Sequence, residues 1–110
     1  MELTGKLKFK AMNDRHDNLK ACEGLIIKPS AFITYQYEDS NGKEHTVLVI
    51  YNANDKQFYK TEVQAFIDKF MKYDESFGGM PDEEKPEIVI VLKKSKAGNQ
   101  YVNFDLVDDD

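Results

Sequence analysis

From Leu3 to Ala11 the chain alternates: Leu3, Gly5, Leu7, Phe9 and Ala11 fall on one face, Thr4, Lys6, Lys8 and Lys10 on the other. A period of two predicts a half-buried strand with a basic outer face. Residues 12–24 are polar and aperiodic and read as a loop. A short strand at 25–27 and a break at Pro29 follow. Ala31–Glu38 reads as a strand with Ile33, Tyr35 and Tyr37 on one face and Phe32, Thr34 and Gln36 on the other. The next five residues contain Asn41-Gly42, a hairpin signal because both residue types tolerate the positive φ of a tight turn. Thr46–Tyr51 is apolar almost throughout, which predicts a returning strand buried on both faces.

Asn52–Lys60 reads as a polar connection. Thr61 and Gln64 have the spacing of a capping box, and Val63, Phe66, Ile67 and Phe70 recur at helical spacing behind them. The stripe predicts a helix over about 61–75, ended by Gly78-Gly79 and Pro81 and followed by an exposed charged loop at 82–86. Glu87–Lys93 predicts a buried strand, Lys94–Asn99 a turn, and Gln100–Leu106 the last strand. The expected fold class is mainly β, a β-rich α+β chain in the order β-β-β-α-β-β. That order points to a five-stranded OB-like Greek-key barrel. One domain over 1–107 and a short disordered acidic tail at 108–110 are expected.

Composition adds constraints. With 41% apolar residues among 110, the chain can build a core without metals or disulfides, and its single cysteine, Cys22, fits a reducing, cytoplasmic setting. The apolar runs at 47–51 and 88–92 are too short to cross a bilayer, and the first residues lack the pattern of a secretory signal. The net charge is −5, but Asp105, Asp108, Asp109 and Asp110 crowd the last six positions, leaving 16 acidic against 15 basic residues over 1–104. Fourteen of those cations are lysine and only Arg15 is arginine, which disfavours sequence-specific duplex readout but not phosphate neutralisation.

A basic first strand (Lys6, Lys8, Lys10), this strand order, lysines around the last turn (Lys93, Lys94, Lys96), an aromatic final strand (Tyr101, Phe104) and an acidic end together resemble the small OB-fold single-stranded-DNA-binding proteins of phage and bacterial replication. The resemblance implies a non-catalytic domain of phage or mobile-element type that binds single-stranded DNA or RNA with little sequence preference. Lys6, Lys8, Lys10, Lys93, Lys94 and Lys96 would meet phosphates, while Tyr35, Tyr37 and Tyr101 would stack on bases. Asp108, Asp109 and Asp110 would meet replication or repair proteins. A plainer account of the same residues is that lysines keep an edge strand soluble and tyrosines suit strands.

Chemistry is sparse. His16 and His45 lie 29 positions apart without further ligands at metal-binding spacing, and Cys22 has no companion histidine. No phosphate loop or nucleophile motif is present, so neither enzyme activity, metal nor cofactor is expected. A second reading, from a different class, is a small acidic protein-interaction module or inhibitor that docks on a host protein.

Overall fold

The computed structural model describes Gly5, Lys6, Phe9, Lys10 and residues 17–107. Its elements are β1 (Asp17–Asn18), a 3-10 turn (Leu19–Ala21), β2 (Ile26–Ile27), β3 (Pro29–Glu38), β4 (Glu44–Asn52), β5 (Gln57–Thr61), α1 (Gln64–Phe77), a second 3-10 turn (Asp82–Glu84), β6 (Ile88–Lys94) and β7 (Gln100–Leu106). The chain is thus β-rich α+β, as its pattern predicts. The strands form two sheets, β1-β5-β4-β3 and β2-β6-β7, that do not close on each other. All pairings are antiparallel except the two-residue β1–β5 contact. Among the described residues no helix is long and apolar enough to cross a membrane.

The sheets meet at a corner. Only Lys28 separates β2, which pairs with β6, from β3, which pairs with β4. Asn52, at the end of β4 and 1% exposed, holds this corner. Its Oδ1 accepts from the Lys28 N–H at 2.9 Å and from the Asn54 N–H at 3.0 Å, and the Ala53 N–H donates to the Lys28 carbonyl at 3.0 Å. A register irregularity between Pro29 and Ala31 gives the strand its bend, the usual device where a strand changes sheet.

The core lies between the sheets and α1. Phe32, Leu48, Ile50 and Tyr59 face inward from one sheet, and Ile27, Ile88, Ile90, Val102 and Phe104 from the other. Phe66 and Phe70 from α1 lie between them, with Phe66 tilted on Phe104 at 4.8 Å and Phe70 edge-on to Phe32 at 5.3 Å. A smaller cluster of Ile33, Val47 and Val49 sits on the opposite face of the four-stranded sheet, so Val47 through Ile50 are buried on both faces as their composition predicts.

Three expectations need correction. Gly5, Lys6, Phe9 and Lys10 are helical, not extended, and Phe9 is 68% exposed. The β5 edge, where an added strand could pair, is taken by β1. The polar connection after β4 contains β5: Asn52 O accepts from the Lys56 N–H, Lys56 takes a positive φ, and Phe58 and Tyr59 alternate across the sheet. The capping box does not form either. Thr61 ends β5 fully buried, its hydroxyl accepts from the Val63 N–H, and Gln64 instead donates to Asp68.

Candidate nucleic-acid interface

The β6–β7 hairpin brings together four of the expected site residues. Its register runs unbroken from Ile88↔Leu106 to Lys94↔Gln100, so Lys93 and Lys94 belong to β6 and not to the turn. The turn itself is Ser95–Asn99. Ser95 N–H donates to the Asn99 carbonyl at 2.8 Å, Gly98 N–H donates to the Ser95 carbonyl at 2.9 Å, and Gly98 sits at φ +84°, where a side chain would be strained. Lys93 lies directly across from Tyr101, on the face that also carries Val91 and Asn103. Lys94 lies on the other face, and Lys96 stands at the tip; all three lysines are exposed and Tyr101 is half-buried. Lys93 Nζ stands 3.7 Å from Asp105, a solvent-exposed pair that contributes little and can open to a phosphate.

Tyr35 and Tyr37 lie on the other sheet, facing away from the main core. Tyr37 stacks on His45 with ring centres 5.0 Å apart, and its hydroxyl donates to Glu62 at 3.1 Å. His45 is held from both sides, Nε2 at 2.8 Å from Asp39 and Nδ1 at 3.3 Å from Glu62. The His45 contact and the N–H groups of Lys43 and Asn41 hold the Asp39 carboxyl below the usual aspartate range. Desolvation and then Glu62 raise the hydroxyl pKa of both Tyr35 and Tyr37. Carboxylates beside these rings disfavour phosphate, so these tyrosines do not join the lysine hairpin in one cationic surface.

A depressed carboxyl stabilises the fold at pH above the ordinary aspartate range, and that contribution is lost as pH falls through the folded-state value. Asp39→Asn keeps an acceptor for the turn but removes the charge. Its urea midpoint should fall below that of the parent at neutral pH, and the two should converge below about pH 4. Equal midpoints throughout would show that the Asp39–His45 pair carries no stability.

Lys6 and Lys10 are exposed. Lys8, His16 and Asp108, Asp109 and Asp110 lie outside the described residues. Tyr59 is unavailable for stacking: it is 8% exposed, and its hydroxyl donates to Asp55 at 2.5 Å. Desolvation, followed by Asp17 and Asp55, raises the Cys22 thiol pKa, which opposes nucleophile chemistry. Among the described residues no group of three His, Cys, Asp or Glu side chains could hold a metal.

Lys69 is a residue that the sequence reading did not single out. It projects from α1 across the outer edge of β7, donating to the Phe104 carbonyl and lying 4.9 Å over the Phe104 ring. Beside it a groove of about 400 Å³ runs between α1 and β7, floored by Tyr73, Phe77, Phe104 and Leu106, with Lys72 at the rim. The only hint was the position of Lys69 next to the apolar stripe, which makes a lysine stem part of the packing. No protein-family model, curated protein or solved structure matches this chain.

Proposed function

We propose that this chain is a non-catalytic domain that binds single-stranded nucleic acid, DNA in the first instance, through the β6–β7 hairpin. The observation that carries the reading is the placement of Lys93, Lys94 and Lys96 around one turn, with Tyr101 directly across from Lys93. Lysines there would neutralise successive phosphates, and the half-buried ring offers a stacking face beside them, the two ingredients of sequence-tolerant strand binding. The reading goes with an open OB-like barrel. In it, the strand that changes sheets at Lys28 joins the two halves, the 3-10 turn at 19–21 bridges β5 and β7, and α1 packs on β7. Replication or repair proteins meeting Asp108–Asp110, a phage or mobile-element source, and a cytoplasmic setting belong to the same proposal.

A fluorescent oligo-dT titration tests it. Binding should weaken steeply with salt, and Lys93→Glu, Lys94→Glu and Lys96→Glu together should weaken it several-fold and flatten the salt slope by about 2, at 0.7 per lost contact. No binding at about 50 mM salt, where phosphate attraction is strong, would overturn the reading. The result would then favour the acidic interaction module, whose supporting observation is the pair of carboxylates, Asp39 and Glu62, that flank Tyr37 and His45.

A further inference from the structure

Sheet edges invite pairing, and folded proteins normally blunt them with lysines, prolines, bulges or covering elements. Most edges here are treated in that way. β1 covers β5, and Lys69 caps a β7 carbonyl from α1. β2 is only two residues long. β3 is different. It ends its sheet, spans ten residues, carries no charge before Glu38, and has no neighbour on its outer side among the described residues. Thr34, Gln36, Tyr37 and Glu38 are exposed along it.

We infer that β3 pairs antiparallel with β3 of a second copy of this chain, about a two-fold axis at Thr34. The usable edge sets the register. Pro29 has no N–H, and the irregularity between Pro29 and Ala31 spoils pairing at that end, while the turn beginning at Asp39 ends it at the other. Inside those limits the regular stretch Ala31–Tyr37 has its midpoint at Thr34. In that register Tyr35 lies opposite Ile33 and Tyr37 opposite Ala31. Aromatic rings thus meet small or β-branched neighbours on the outer face, the favoured kind of cross-strand pair. Glu38 lies opposite Ser30, so no like charges meet. Such self-complementarity on the outer face, tyrosines in one half of the strand and aliphatic side chains in the other, selects a second copy over an unrelated strand. The product is one continuous sheet with four strands from each chain.

Sedimentation equilibrium of the full chain with reductant present, over a dilution series, should show a species of twice 12.7 kDa that dissociates on dilution. Thr34→Lys and Thr34→Glu each place like charges opposite one another at the axis, on an exposed side chain whose change leaves the monomer folded. Each should be monomeric with the parent circular dichroism spectrum. Mixed in equal amounts, they should recover the dimer. A parent that stays at 12.7 kDa at every concentration overturns the inference. So does a dimer that survives Thr34→Lys, because it would use another surface. Neither result depends on whether the hairpin binds nucleic acid.

Discussion

Phe66→Ala should lower the unfolding free energy by about 3–5 kcal/mol, the range for deleting a core aromatic. Phe66 is fully buried, its ring lies on Phe104, and it belongs to the one cluster that contains side chains from both sheets and from α1. Neither sheet can collapse into the space left behind without drawing away from the other, so the cavity term remains alongside the lost transfer energy. Domains of this size are stabilised by roughly 5–15 kcal/mol in total, so the variant should be near the edge of folding. Met71, on the same helix and 39% exposed, supplies the control: Met71→Ala should change stability by less than about 1 kcal/mol. Urea unfolding followed by circular dichroism measures both, and equal midpoints for Phe66→Ala and the parent would contradict the described core.

The second large effect is expected at the corner. Asn52→Leu preserves side-chain volume but leaves the Lys28 and Asn54 N–H groups without their acceptor. An orphaned buried donor costs about 1–3 kcal/mol; the Lys28 N–H is part-buried and Asn54 is exposed, where water can replace the lost acceptor, so the change should cost on the order of 1–3 kcal/mol. Asn54→Ala removes only an exposed side-chain bond to Glu87 and should cost about 1 kcal/mol or less. Amide hydrogen exchange distinguishes this account from general loosening: Lys28 and Asn54 should lose protection out of proportion to the core strands. Uniform loss across both sheets would mean that Asn52 acts by packing alone.

Much of the fold was legible where one strong local signal acted alone. Asn41-Gly42 fixes the β3–β4 hairpin, and Gly42 takes the positive φ that the motif implies. The Phe66, Ile67 and Phe70 stripe is buried as its spacing requires. Failures came where partners decide. The alternation of 3–11 describes a strand only if a neighbouring strand pairs with it, and its described residues, Gly5, Lys6, Phe9 and Lys10, are helical instead. β5 was hidden because its aromatic pair sits among polar residues in a short segment, and only the turn at Asn54–Lys56 brings it alongside β4. The lysine hairpin was legible as a cluster. The separation of Tyr35 and Tyr37 from it was not, since their surroundings depend on Glu62, which comes from the segment joining β5 to α1 and not from a neighbour in sequence.

The single-residue joint at Lys28 also bears on how the chain reaches this state. The β3–β4 and β6–β7 ladders are hairpins, closed by turns of a few residues, and need nothing distant to form. Ile26 meets Val89 only after β3, β4, β5 and α1 have been laid down between them, so among the described strand pairings β2–β6 carries the largest loop-closure entropy. Two hairpins assembled early, each with an uncovered apolar face, must wait for that join. The rate at which the corner closes, with Asn52 as its latch, therefore sets how long those faces remain open to other chains.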